Sequence, residues 1–485
     1  MILIFSFNIL LRLIFTFYGY IATEEGMLLY NQQLAYSGQL PFIDYDAWTS
    51  LFHDYLLGWH QFLLGTSILM QRLVGLTLAL VVFWLTVKLA RRLNPKSTHL
   101  VALLLTLGSP LYLYFSTIPY SEQFMTLFIT LSLFCLVTNR SALAFLSSIA
   151  AGLIRSQALP VTFLVWIYLF FIQPRRSFLK LSLVGAGFAL VLLSPFLLIS
   201  PSHVIWAFFW PLKASQTLIY QQGFQGVNLS HLVNFTLEAT RDYGLLTAII
   251  TAGLAVFGWP NKLYRRFYIL TLGIILSQLA VALIHQPPYA SYLYPFVPLL
   301  ALWAGFYLSR TLKFTRILIT LLLLTNFIIF PHAQFIKTSL ASLSTTPHEL
   351  LQQISSYLTR YVSPEDEILS FYIPIVTQAN RRLPPNLNRG SGSLSFLSTS
   401  QAQKHHLTNL DMLTAYLKSS RPAAVVFTSK DLVRLTPDQR SVFLASVESY
   451  YYLAQTFSQI SQIEDPRTRN LFIYLPLASN ATHDY

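Results

Sequence analysis

Long apolar stretches, broken at short intervals by basic turns, constrain this chain more than any other feature. A bilayer core takes about 20 apolar residues per helix. Stretches near 2–22, 67–89, 99–115, 118–138, 142–154, 157–172, 178–199, 243–259, 266–285, 289–309 and 315–333 meet or approach that length. Backbone N–H and C=O groups find no water in hydrocarbon, so such segments must satisfy their own hydrogen bonds as helices. The expectation is an α-helical polytopic membrane protein with about 11 transmembrane helices. The fifth and sixth stretches are short, and read as one re-entrant hairpin they lower the count to nine. Either count is odd, which puts the two chain ends on opposite sides of the membrane.

Composition removes the competing classes. Only 11% of the 485 residues are charged and 54% are hydrophobic, with a mean hydropathy of +0.53. A soluble protein carries roughly 25% charged residues. A soluble globular enzyme, a disordered chain and a disulfide scaffold are therefore excluded. The single cysteine, Cys135, has no partner within the chain and sits inside an apolar run.

The net charge of +13 is distributed by side rather than spread evenly. Alternate turns hold Lys88, Arg91, Arg92 and Lys96, then Arg140, then Arg175, Arg176 and Lys180, then Lys262, Arg265 and Arg266, then Arg310, Lys313 and Arg316. That makes fourteen bases and no acid. The opposite turns carry four bases, Arg72, Arg155, Lys213 and Arg241, against eight acids. By the positive-inside rule the basic side is cytoplasmic. The N-terminus then lies in the cytoplasm, and the segment after 335 lies outside the plasma membrane. The excess of bases orients the protein and is not a nucleic-acid footprint.

Two segments test this register. Trp48–Gly65 is apolar enough for a span, but it contains His53, Asp54 and His60, which are costly in hydrocarbon. Counting it as a span would also move every later basic turn outside. It reads as an amphipathic helix on the outer interface, with His53 and His60 on one face as interfacial histidines rather than a metal site. The first stretch has Arg12 inside its apolar run and no small-residue cleavage site after it, so it reads as an uncleaved span rather than a signal peptide.

From about 336 the composition becomes that of an ordinary soluble domain, with 13 bases and 11 acids. Helical patterns near 347–362, 409–419 and 437–449 alternate with strand-like runs at 367–372, 423–428, 450–457 and 470–475. Residues 1–335 are thus expected to form a transmembrane domain, with a first outer loop at 23–66 and a long outer loop at 200–242. Residues 336–485 are expected to form a small extracytoplasmic α/β domain docked on it. Residues 384–405 read as a loop. No glycine-rich phosphate loop, GxSxG, HExxH or CxxC occurs in this domain.

All eight acids of the membrane part fall on the outer side, five of them in the first outer loop: Glu24, Glu25, Asp44, Asp46 and Asp54. The acidic pair and glycine after the first span, Tyr30, Gly38 and the Leu-Pro-Phe-Ile-Asp run ending at Asp44 resemble the GT-C class of membrane glycosyltransferases. This class includes the protein O-mannosyltransferases and the lipid A aminoarabinose transferases. Gln71-Arg72-Leu73 opening the second span, Pro119-Tyr120-Ser121-Glu122, Tyr292-Leu293-Tyr294-Pro295 with Pro298, and Arg381-Arg382-Leu383-Pro384 resemble the class too. Glu24 stands where many members carry aspartate, and Trp48-Thr49-Ser50 stands where many carry proline.

The resemblance implies a transferase that takes a sugar from a polyprenyl-phosphate carrier and works on the outer side, with inversion. It implies no cofactor beyond that lipid donor and leaves divalent metal open. The chemistry is consistent with the residues. A fixed carboxylate can take the proton from an attacking hydroxyl, a carboxylate stabilises an oxocarbenium-like transition state, and a departing lipid phosphate needs Arg or Lys donors. Candidate catalytic residues are Glu24, Glu25, Asp44 and Glu122. Candidate phosphate-binding residues are Arg155, Lys213, Arg241 and Arg72. Tyr292 and Tyr294 are candidate substrate contacts, and no metal ligands are assigned. The expected partners are membrane lipid, the lipid-linked donor and an acceptor of unassigned kind.

Plainer readings fit several of these residues. Glu24, Glu25 and Glu122 also suit first-turn acids facing a helix dipole, with Thr23 as N-cap of the first pair. Asp44 also suits a turn after Pro41, Asp46 a solvated site, and Arg155 a snorkelling side chain. Trp206, Phe208, Phe209, Trp210, Tyr220 and Tyr289 fit an aromatic belt as well as a lipid groove. A transporter of lipid-linked substrates is disfavoured, because the spans lack mid-depth charge and internal repeats. A non-catalytic membrane scaffold is the other alternative.

Overall fold

The structure, a computed structural model, describes residues 1–47, 51–202, 204–205, 208, 229–259, 264–284, 290–329, 346–458 and 470–477. Lys213, Trp206, Phe209, Trp210, Tyr220, Tyr289 and Trp48-Thr49-Ser50 lie outside the described residues.

Every one of the eleven apolar stretches contains helix. They appear as α1 (Ile2–Tyr18), α5 (Ile68–Leu93), the broken pair α6 (Thr98–Leu107) and α7 (Pro110–Phe115), α8 (Ser121–Val137), α9 (Ser141–Ile154), α10 (Leu159–Ile172), α11 (Arg175–Ile199), α12 (Leu229–Phe257), α13 (Arg265–Ile284), α14 (Val297–Leu308) and α15 (Lys313–Ile329). Among the described residues, three helices are by themselves long and apolar enough to cross a bilayer: Ile68–Leu93, Arg175–Ile199 and Arg265–Leu283. The fifth and sixth stretches are helices of 14 residues each, about 21 Å long at 1.5 Å per residue, joined at the break 155–158.

The described basic turns meet in two groups. Asn94 donates to the Ser309 hydroxyl at 3.0 Å, the Tyr264 hydroxyl reaches the Arg92 carbonyl at 3.4 Å, and Gln173 donates to Ser141 at 2.7 Å. Within each group, turns that are alternate in sequence lie side by side. The acidic end carries everything described below.

There the chain turns sharply. Helix α2 (Thr23–Tyr36) leaves α1 at 84°. Its N-cap is Ala22 rather than Thr23, and the Glu25 carboxylate accepts the Ala22 N–H at 2.9 Å. After α2 the Leu-Pro-Phe-Ile-Asp run forms a tight turn in which Phe42 is left-handed, with φ 64°, a costly conformation for a bulky residue.

The amphipathic segment proves to be two short helices, α3 (His53–Gly58) and α4 (His60–Leu64). Leu56, Trp59, Phe62, Leu63 and Leu64 point outward, as a helix at a lipid interface requires. The histidines are not interfacial. His53 and His60 lie on separate helices and are fully buried, because the inner side of this segment packs on protein. His53 faces the Pro119 carbonyl at 2.8 Å and Asp54 at 3.3 Å, and Asp54 accepts the Tyr45 hydroxyl at 2.9 Å. Burial, reinforced by the Asp54 charge, holds the Tyr45 phenol well above its usual range.

The C-terminal region carries α16 (Pro347–Tyr361), α17 (Ile373–Gln378), α18 (Thr399–Lys404), α19 (Leu410–Ser419) and α20 (Pro437–Tyr450) around one sheet. Strands β1 (Ile368–Ser370), β2 (Ala424–Thr428), β3 (Tyr451–Ser458) and β4 (Asn470–Pro476) run in the order β1-β2-β4-β3. The β1–β2 pairing is parallel and the other two are antiparallel. This region sits directly on α2. Met27, Leu28 and Tyr30 share one apolar core with Leu351, Ile373 and Ile473. A Cβ on Gly26 would lie 2.3 Å from the Pro374 nitrogen, so α2 needs glycine there for α17 to approach.

Candidate functional site

Two glutamate–arginine pairs form at the acidic end. Burial forces the first pair, because Glu25 and Arg72 are both inaccessible to solvent. Arg72 Nε and Nη2 each reach a different Glu25 oxygen at 2.6 Å, the planar fork that suits a carboxylate. The remaining N–H groups go to main-chain carbonyls at the end of α1: Thr16 at 3.2 Å, Gly19 at 3.0 Å and Tyr20 at 2.5 Å. All five donors of the guanidinium are thus committed. Arg72 closes the 84° corner, and its N–H groups are all taken up by protein partners. His348 of α16 adds a bond to the Thr16 carbonyl at 3.0 Å. Burial first, then the Arg72 charge, push the His348 imidazole down to about 3.

The same corner turns Glu24 outward. Its side chain is exposed, and no hydrogen bond to its carboxylate occurs among the described residues. Glu24 and Glu25 therefore separate into a free carboxylate and a clamped one.

The second pair forms where two helix termini meet. Helix α8 begins after Pro119, with Tyr120 as N-cap, which places Glu122 in its first turn. Helix α9 ends at Ile154 because Arg155 turns extended, and α10 restarts at Leu159 with Pro160 in its first turn. Arg155 Nη2 lies 2.8 Å from Glu122, Nη1 lies 2.8 Å from the Ser121 hydroxyl, and Nε lies 3.0 Å from the Gln157 amide oxygen. Its guanidinium stands over the Tyr292 ring at 5.6 Å, a cation–π contact. Both side chains of this pair remain 12% exposed.

Tyr120 joins the two pairs. Its hydroxyl lies within electrostatic reach of Glu24, Glu25, Tyr20 and Glu122. Rings continue from it: Phe115 contacts Tyr120 at 6.1 Å and stacks on Tyr294 at 5.8 Å, while Tyr20 stacks on Tyr114 at 5.0 Å. Tyr294 lies within reach of both Glu122 and Arg155, and Arg155 carries Tyr292 on its guanidinium. Of the residues named from sequence, the structure brings together Glu24, Glu25, Glu122, Arg155, Tyr292 and Tyr294.

Other candidates stand apart. Asp44 is exposed and serves its own turn, accepting the Leu40 N–H at 2.7 Å. Arg241 stands half-exposed beside Asp242 at 3.2 Å. Asp46, expected to be solvated, is buried and ion-paired with Arg389 at 2.5 Å, and Asn388 donates to the Asp46 carbonyl at 2.9 Å. The Tyr30 hydroxyl accepts the Leu383 N–H at 3.0 Å. The first loop is therefore pinned to the C-terminal region on both sides of its turn. Tyr120, Ser121 and Gln157 were missed as site residues. The first two lay within the Pro119–Glu122 run singled out in the sequence.

No protein-family model matches the sequence, and no curated protein does. Solved structures do match. ArnT from Cupriavidus metallidurans bound to undecaprenyl phosphate superposes with a TM-score of 0.67 at 12% identity, covering 99% of this chain and 98% of that one. The apo state of the same protein gives 0.62 at 12% identity, covering 98% and 97%. At this identity the likeness establishes the fold, which is that of ArnT. It runs essentially end to end, from α1 through the C-terminal sheet.

Proposed function

We propose that this chain is a membrane glycosyltransferase that moves a hexose or pentose from a polyprenyl-phosphate carrier to an extracytoplasmic acceptor hydroxyl. The observation that carries the reading is the convergence of Glu24, Tyr120, Glu122 and Arg155 at the acidic end of an ArnT-like fold. The solved neighbour's undecaprenyl phosphate supports the same donor class. The charge asymmetry of the turns supports a cytoplasmic N-terminus and an outer-face site in the plasma membrane.

In this reading the acceptor hydroxyl attacks the anomeric carbon from the face opposite the phosphate. The new C–O bond forms as the C1–O bond to the lipid phosphate breaks, the electron pair leaves with the phosphate, and the configuration inverts. Glu24 takes the hydroxyl proton, because its carboxylate is exposed and unclamped. Glu25 holds the corner through Arg72. Arg155 meets the charge that develops on the leaving phosphate, with N–H groups beyond those on Ser121 and Gln157 available to it. Glu122 orients Arg155, and Asp44 is a turn residue.

The test is release of polyprenyl phosphate from a set of polyprenyl-phosphate hexoses and pentoses by the purified protein in lipid nanodiscs. Glu24→Gln is expected to lower the rate by about 10²–10⁴-fold, the usual contribution of a positioned base, with the thermal midpoint unchanged. Unchanged transfer by Glu24→Gln would remove the assignment.

A further inference from the structure

Helix α13 is apolar and carries no charge from Phe267 to Ile284. Its few polar side chains have local work, with one exception. The Ser277 and Thr271 hydroxyls return to their own helix at the Ile274 and Tyr268 carbonyls, 2.8 and 3.0 Å away, and Thr271 also accepts the neighbouring Trp303 indole. Gln278 instead reaches out of the helix. It is fully buried, its amide N–H donates to the Gln157 carbonyl at 2.9 Å, and its amide oxygen has no partner among the described residues. An amide in a helix of this kind is costly and tends to mark function.

The bond to Gln157 falls at a consequential place. Residues 156–158 form the single 3-10 turn between α9 and α10, immediately after Arg155. The Gln157 side chain accepts from Arg155 Nε at 3.0 Å and donates to the Tyr292 carbonyl at 3.3 Å. One residue thus holds the guanidinium on one side and the segment whose ring lies under it on the other. Gln278 fixes the main chain of that residue. A polar relay runs from α13 through the turn to Arg155, and then to Glu122.

We propose that Gln278 is a positioning residue for Arg155, setting through Gln157 where the guanidinium meets the donor phosphate. The inference rests on the transferase reading above. Gln278 touches neither the sugar nor the phosphate. Its effect therefore falls on capture of the donor, not on proton transfer to Glu24.

The experiment is a double-mutant cycle in nanodiscs, with donor KM, kcat and thermal midpoint measured together. Gln278→Met keeps volume and removes the amide. It is expected to raise donor KM by up to about tenfold, the upper scale of one lost neutral hydrogen bond, with kcat and midpoint close to wild type. In the Arg155→Ala background the same substitution is expected to change nothing further. Gln157→Ala, on the partly exposed turn, gives the same rise by a route that leaves α13 intact. An unchanged KM in Gln278→Met and Gln157→Ala, or an equal effect with and without Arg155, would overturn the inference while leaving the transferase reading standing. Absence of turnover in the wild type with every donor would instead remove that reading.

Discussion

Glu25–Arg72 and Glu122–Arg155 use the same chemistry on either side of Tyr120 and are built for different work. The first is sealed, with every guanidinium N–H committed to Glu25 or to carbonyls ending α1. The second is partly open, with 12% of each side chain exposed and a tyrosine ring under the arginine. A sealed pair holds geometry, because removing either partner strands a charge in a dry site. A partly open pair can exchange one anion for another. On the proposed reading the first pair shapes the corner that turns Glu24 outward, and the second meets the departing phosphate.

The contrast breaks most visibly at Arg72. Arg72→Leu strands the Glu25 carboxylate and frees the corner, so it is expected to cost about 3–5 kcal/mol. A thermal melt in detergent would show loss of the folded protein, and the same change at Arg155 is expected to cost less than half as much. Equal losses at the two sites would erase the distinction.

A smaller effect sharpens the role of the C-terminal region. Gly26→Ala drives a methyl into Pro374, and overpacking of this kind costs about 1–3 kcal/mol. The midpoint should fall while Glu24 stays in place, so transfer measured below the transition should survive.

The smallest effect is on pH dependence, and its sign follows from His348. Its folded-state value, about 3, lies below the unfolded value of 6.5, so the unfolded chain takes up the proton first. Stability contributed by this group is fully present above about pH 6.5 and is lost as pH falls toward about 3. His348→Gln should flatten that part of the stability–pH curve, which chemical denaturation at pH 4.5 and pH 7.5 would reveal.

Much of the fold was legible because membrane helices and strands declare themselves locally. Length and hydropathy sufficed to mark eleven apolar stretches that all contain helix. The short runs at 423–428 and 470–475 needed only their bounded apolar character, and both proved to be strands, Ala424–Thr428 and Asn470–Pro476. The site was legible in part for the same reason, since Glu122 and Arg155 sit at helix termini that the sequence marks with Pro119 and Pro160. What the sequence hid were partnerships across distance. Nothing local in Arg72 says that it clamps a carboxylate 47 positions earlier, or in Asp46 that its partner is 343 positions later. His53 and His60 were misplaced for a related reason. Polarity argued for an exposed interface, but burial against Pro119 and Asp54 satisfies His53 inside the protein.

The most direct measurement is the native mass spectrum of the protein purified in mild detergent, supplemented with polyprenyl-phosphate sugars. The account predicts a bound polyprenyl phosphate or its glycosylated form, retained in Glu24→Gln and lost in Arg155→Ala. Bulk phospholipid alone in every spectrum, with the donor lipids present in excess, would contradict it.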